Sequence, residues 1–148
     1  MAWDGDAGRV LVRFGGAAAS HQAQETVERM QGLGLEDASV EADDAELWAR
    51  QRAGQRSTDG VVLKVSGRPT DLTTVIRAAR EHRGTLVSRA ALGLSWLALP
   101  AGADVAAIRE GLSPRPVAVL DGAEKVADAW PAPPEGTLAV MALSLIHI

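Results

Sequence analysis

The 148-residue sequence contains no cysteine and no tyrosine, and it has a single phenylalanine. Without cysteine, disulfides, thiolate catalysis and cysteine-based metal sites are excluded. Because aromatic residues are so few, a core must be built mainly from valine, leucine, isoleucine and alanine. No apolar run reaches the about 18 residues that a membrane-spanning helix needs. What remains has the composition of a globular domain, with 47% hydrophobic and 23% charged residues.

Positive charge is also in short supply. The formal net charge is −4, and only two of the 15 cationic residues are lysine. Such a chain has no basic field that would attract a nucleic acid or an anionic lipid surface. We therefore expect no nucleic-acid partner.

The clearest internal pattern is a pair of similar segments. Residues 9–16 (RVLVRFGG) and 60–67 (GVVLKVSG) are both short apolar runs, each with one cation and a glycine at its end. Each is followed by a helical pattern that stops at a glycine, and then by another extended run. In the second helix, Asp71 or Thr70 is a candidate cap. Each segment therefore predicts the start of a β-α-β unit.

Three further elements complete the predicted order. Residues 43–54 indicate a short helix between the two units. Residues 102–112 predict a helix capped by Asp104, and residues 115–122 predict a strand that ends on Asp-Gly. The order is then β-α-β, a short helix, and β-α-β-α-β.

This order predicts an α+β fold, a ferredoxin-like sandwich of duplicated β-α-β units with helices on one face of a mainly antiparallel sheet. A doubly wound parallel sheet is the alternative. It is less favoured because no predicted strand is apolar on both faces throughout, as buried parallel strands usually are.

Residue parity singles out two cations. Aligning the two glycine-ended segments places Arg13 and Lys64 at equivalent positions, on the side of each strand opposite its main apolar residues. If these were the central neighbouring strands, the two cations would lie side by side on the helix-free face. There they could hold a carboxylate or the N1 region of a reduced flavin. The alternative is that each is an exposed strand residue whose stem lies on the sheet.

Other polar and aromatic residues are weaker candidates. Arg89 is a third cation that could face the same ligand, whereas Trp48, Trp96 and Trp130 are expected to be packing or interface residues. The acidic cluster before Trp48 is expected to favour a helix start rather than to bind a cation, and consists of Asp43, Asp44 and Glu46. No metal site is predicted from the histidines His21, His82 and His147, and no catalytic signature is present.

At this point the sequence resembles a known family. The blocks GRVLVRFGGAAASHQAQ, AELWARQR, VVLKVSGRPTDL, SRAALGLSWLALPAGADVAAIREGL, PVAVLDGAEKVADAW and EGTLAVM occur in this order. They are similar to the C-terminal half of a family of glycolate oxidase components, which are FAD-linked oxidases of the p-cresol methylhydroxylase type. The resemblance covers residues 8–141.

The resemblance implies a cap (substrate) domain at residues 1–142, truncated at both ends, from a flavoprotein that oxidises a 2-hydroxy acid such as glycolate. FAD would be bound by an N-terminal domain of the same chain, which is missing here. Implied partners are that domain, a second flavoprotein subunit and an iron–sulfur subunit. The implied location is the cytoplasm, with membrane association only through partner subunits. No catalytic residue can be transferred, because the histidine motif of related catalytic subunits is absent, and the fragment alone should be inactive. The alternative is a free-standing ferredoxin-like module that binds a small ligand or a protein.

The last six residues, LSLIHI at 143–148, depart from the family pattern. Codons that encode them resemble a transposase adapter used in sequencing libraries. We expect an adapter-derived, non-native tail, with a genuine edge strand as the alternative. A membrane anchor of this length would be too short.

Overall fold

The structure is a computed structural model that describes residues 1–5, 7–35 and 37–122, together with 124, 126, 128–131, 133 and 136–137. The tail at 143–148 lies outside these residues. The strands are β1 (Ala2–Asp4), β2 (Ala7–Arg9), β3 (Val61–Ser66), β4 (Thr85–Arg89), β5 (Leu94–Leu99) and β6 (Val117–Asp121). The helices are α1 (Ala19–Gly32), α2 (Ala45–Ala53), α3 (Leu72–Glu81) and α4 (Val105–Leu112), with single 3-10 turns at Pro69–Asp71 and Ala90–Leu92.

The six strands form one antiparallel sheet in the order β2-β1-β4-β5-β3-β6. From β3 onward the elements run β3-α3-β4-β5-α4-β6, and the four strands of this part lie in the order β4-β5-β3-β6. This is the ferredoxin-like α+β sandwich, built from two β-α-β units joined by the β4–β5 hairpin. The predicted fold class is confirmed.

The core lies between the sheet and helices α3 and α4. Period-two alternation in β3 sends Val61, Leu63 and Val65 to this side, where they are at most 1% exposed. The stripes of the two helices meet them, so one cluster combines strand and helix residues: Val61, Leu63, Val65, Val75, Ala79, Leu86, Leu97, Leu99, Val105, Ile108, Leu112, Val117 and Val119. α4 begins as predicted, because Asp104 Oδ1 accepts a hydrogen bond from the Ala107 N–H at 3.0 Å.

The first predicted strand is wrong. Residues 10–15 have no regular structure, and Val10 and Val12 are more than half exposed. β1 and β2, which precede them, form a hairpin whose inner strand pairs with β4, Trp3 opposite Leu86. The described residues between 35 and 42, predicted as an extended run, also contain no strand. The duplicated units therefore both lie within residues 61–121, and the first segment is not a copy of β3.

The predicted extended run at residues 85–100 is two strands and not one. A turn at Ala90–Leu92 separates β4 from β5, and Gly93 follows it with φ at 63°, in the left-handed region. A Cβ at Gly93 would overlap the carbonyl of Gly67, whose N–H donates to the Gly93 carbonyl at 2.9 Å. This close approach fixes where the hairpin turns.

Candidate functional site

The face of the sheet opposite α3 and α4 carries a row of four residues across four strands. Val87, Trp96, Lys64 and Ala118 lie in register on β4, β5, β3 and β6. Lys64 is half-buried, and Trp96 is 9% exposed. Lys64 therefore lies beside an indole in the centre of the sheet.

Arg89 approaches the same indole from the other side. It is on β4, and its guanidinium carbon lies 5.6 Å from the centroid of the Trp96 ring. This distance is typical of a cation–π contact. Because β5 lies between β4 and β3, Trp96 is flanked by Arg89 on one side and Lys64 on the other. The structure thus brings together two of the three predicted site cations.

These two cations differ from the ion-paired arginines of the domain. Arg13, Arg56 and Arg115 each contact a carboxylate. Among the described residues, neither Lys64 nor Arg89 has a carboxylate partner. Two positive charges on neighbouring strands, without an acid to neutralise them, make this end of the face suited to an anion.

The other end of the same face is covered. Val62 is 0% exposed and Val87 is 6% exposed, and both belong to a small apolar cluster with Trp96. The chain just after α2 lies against Val87, since a Cβ on Gly54 would be 2.7 Å from Val87 Cγ2. Gln51 in α2 also donates from Nε2 to the Met1 carbonyl at 3.0 Å. Access to the cations is therefore from the end that carries Arg89 and not from the end at Val62.

Arg13 does not belong to this site. Its Nε lies 2.9 Å from Asp44 Oδ2, and its Nη2 donates to Asp44 Oδ1 at 3.1 Å. Asp44 also accepts from Trp48 Nε1 at 2.9 Å, so Arg13 ties the irregular segment to the start of α2. The predicted neighbourhood of Arg13 and Lys64 is wrong, because β5 and β6 occupy both positions beside β3.

The acidic cluster before Trp48 has the structural role expected of it. α2 begins just after Asp44, Asp43 Oδ1 accepts from the Ala45 N–H at 3.3 Å, and Glu46 pairs with Arg50 one turn later. The arrangement stabilises the start of the helix.

Two acidic residues that the sequence analysis did not single out are held by arginines far away in the chain. Arg56 forms a bidentate pair with Asp121, which also accepts from the Ser57 N–H at 2.9 Å. The Arg56 hydrogen bonds and then the Ser57 N–H lower the pKa of Asp121. These partners are 65 residues apart, and no local pattern in the sequence connects them.

Asp71 is the second such acid. Arg115 Nη2 donates to its Oδ1 at 2.9 Å, and the Arg68 N–H donates to its Oδ2 at 2.8 Å. The Arg115 hydrogen bond, followed by that of the Arg68 N–H, lowers the pKa of Asp71. Asp71 does precede α3, as the capping prediction requires, but its carboxylate serves Arg68 and Arg115 and forms no cap bond to that helix.

Comparison with known protein families, curated proteins and solved structures found no match to this chain. None of the helices that the structure describes is both long enough and apolar enough to cross a membrane.

Proposed function

We propose that this chain is the substrate-facing cap domain of an FAD-linked oxidoreductase that acts on a 2-hydroxy acid such as glycolate. The observation that carries the proposal is the placement of Lys64 and Arg89 on either side of Trp96, at the open end of the helix-free face. The ferredoxin-like fold and the sequence resemblance over residues 8–141 support the same interpretation.

The chemistry of this pair suits a small carboxylate. The Arg89 guanidinium offers a planar pair of N–H donors, and the Lys64 ammonium adds a second positive charge from the neighbouring side of the indole. The apolar row around them lowers the local dielectric, which strengthens the attraction to an anion. Lys64 and Arg89 would bind and orient the substrate carboxylate, while the Trp96 ring would restrict the position of its carbon atoms.

FAD would have to be bound elsewhere. Gly15 and Gly16 precede α1, but no strand leads into them, so they do not form the strand-to-helix turn that cradles a diphosphate. The donor set at Lys64 and Arg89 fits the anionic edge of a flavin ring or a substrate carboxylate, and an N-terminal domain of the parent chain would hold the rest of the cofactor. When bound, FAD would supply the acceptor for the hydride that leaves C2 of the hydroxy acid. The chain alone would not turn over substrate.

The parent protein would work in the cytoplasm with the partners that the resemblance implies, a second flavoprotein subunit and an iron–sulfur subunit. Membrane association would come only through those subunits.

A free-standing ligand-binding or protein-binding module is the second candidate. The observation that favours it is that β3-α3-β4-β5-α4-β6 contains every strand and helix of a ferredoxin-like unit, with its own core. Genomic DNA upstream of the Met1 codon separates the two. An in-frame extension that encodes an FAD domain supports the oxidoreductase, whereas a stop codon and a ribosome-binding site directly before Met1 rule it out.

Kinetics of the complete parent enzyme test the role of the cations. Replacing Lys64 by Met should raise the KM for glycolate about tenfold, the usual loss for one charge-assisted contact. Arg77→Met is the matched control, because it removes a charge from the exposed surface of α3. Unchanged KM and kcat in Lys64→Met would remove this residue from the site.

A further inference from the structure

A groove lies at the end of β3, away from the row that contains Lys64. It encloses about 510 Å³, part of it open to solvent, which is in the size range of small-molecule sites. One wall is the turn after β3, with Ser66 and Arg68. The other is the segment that leads into β6, with Pro114, Arg115 and Pro116.

Backbone contacts hold both walls in place. The Ser66 N–H donates to the Pro116 carbonyl at 3.0 Å, which joins one wall to the other. The Gly67 N–H donates to the Gly93 carbonyl at 2.9 Å and anchors the first wall to the β4–β5 hairpin. A groove whose walls are fixed in this way loses little conformational entropy when a ligand binds.

The charges along the groove do not balance. Arg68 and Arg115 line it together with a single acid, Asp71. Asp71 is satisfied by the Arg115 side chain and the Arg68 N–H, each within 2.9 Å. The Arg68 guanidinium is 83% exposed, and its Nε lies 3.7 Å from Asp71, beyond hydrogen-bond distance. One guanidinium is therefore available to a further anion.

Two more donors of the groove are without partners among the described residues. Arg115 Nε is buried and makes no hydrogen bond there. The Ser66 hydroxyl has no hydrogen bond with the described part of the chain either. Pro114 and Pro116 add apolar surface beside these donors. The lining thus combines cationic and hydroxyl donors with a small apolar wall.

We infer that this groove binds a small organic carboxylate, with Arg68 as the principal ion-pair partner, the Ser66 hydroxyl as a second donor, and the two prolines against the apolar chain of the ligand. The planar guanidinium matches a carboxylate in bidentate geometry, and the prolines favour a ligand with a short hydrocarbon chain. This site uses neither Lys64 nor Arg89, and it does not depend on the proposed function.

Titration of the 148-residue protein with butanoate, followed in ¹⁵N–¹H spectra, tests the inference. The amide signals of Gly67, Arg68 and Arg115 should move in a saturable way. Acetate should bind several-fold more weakly, because it lacks the methylene groups that would contact the prolines. Arg68→Gln should weaken butanoate binding about tenfold. Lys64→Met should leave it unchanged, which separates this site from the one on the sheet face.

Three results would overturn the inference. The first is the absence of saturable shifts with butanoate at the groove signals. The second is equal butanoate affinity in the parent protein and in Arg68→Gln. The third is saturable binding of inorganic phosphate without binding of butanoate, which would assign the groove to a different class of anion.

Discussion

Lys64 and Trp96 lie opposite each other in register on the two central strands of the ferredoxin-like unit. This pairing places a cation beside the only indole that the sheet presents within the described β3–β6 unit, and Arg89 approaches the same ring from the next strand at 5.6 Å. The relationship comes from the strand order, since β5 separates β4 from β3. Two cations that are distant in sequence thereby share one aromatic surface.

The close contact between Gly67 and Gly93 predicts a large cost for any side chain at Gly93. Gly93→Ala should lower the free energy of unfolding by about 3 kcal/mol, because the methyl group would overlap the Gly67 carbonyl and φ is positive. Gly102→Ala is the matched control. Its φ is also positive but its Cβ would meet open space, so only the backbone cost of about 1 kcal/mol should remain. Urea unfolding measures both values, and equal costs would contradict the close contact.

The position of the core predicts different costs for two leucines. Leu63 is 0% exposed beneath α3 and α4, so Leu63→Ala should cost about 2–5 kcal/mol of unfolding free energy. Leu33, just after α1, is 74% exposed, and Leu33→Ala should change stability by less than about 0.5 kcal/mol. Denaturant unfolding of the two variants provides the comparison. A large loss in Leu33→Ala would show that the segment around α1 is part of the core.

The Arg56–Asp121 pair predicts a stability difference that depends on pH. The pKa of Asp121 is lowered in the folded protein, so its contribution is complete above the pKa that the residue has in the unfolded chain, about 3.9. The contribution is lost as the pH falls through the lower pKa of the folded state. Asp121→Asn should therefore be less stable than the parent protein at pH 7, and the gap should narrow towards pH 2.

Urea midpoints measured at both pH values test this sign. The control is Asp104→Asn, which changes a carboxylate at an exposed cap without an arginine partner among the described residues. A gap between Asp121→Asn and the parent protein that widens in acid would contradict the assignment.

The elements of the ferredoxin-like unit could be predicted because each carries its own local signal. β3 alternates, α3 has an apolar stripe at helical spacing, and Asp104 is a cap residue before an apolar pattern. Their packing follows once those faces are known, since the stripe and the strand face must cover each other.

The remaining features depend on contacts that a local pattern does not show. β1 and β2 have three residues each, too few for alternation to be visible. Residues 9–16 have the composition of a strand, but both positions beside β3 are taken by strands whose apolar faces meet the core. For the same reason Arg13 was placed wrongly, while the location of Lys64 on the helix-free face was predicted from parity alone.

The most direct test of the proposed function is a glycolate titration of the 148-residue protein, followed at the indole N–H signal of Trp96 in ¹⁵N–¹H spectra, with Trp96→Phe to assign that signal. We predict a saturable shift with a Kd of about 1 mM or above, as expected for a small ligand held by two charged groups. The affinity should fall about tenfold in Lys64→Met and in Arg89→Met, and stay unchanged in Arg77→Met. The uncharged analogue glycolamide should not compete. A shift that does not saturate, equal binding of glycolamide, or undiminished affinity in both site variants would contradict the assignment of Lys64 and Arg89 as the carboxylate-binding pair.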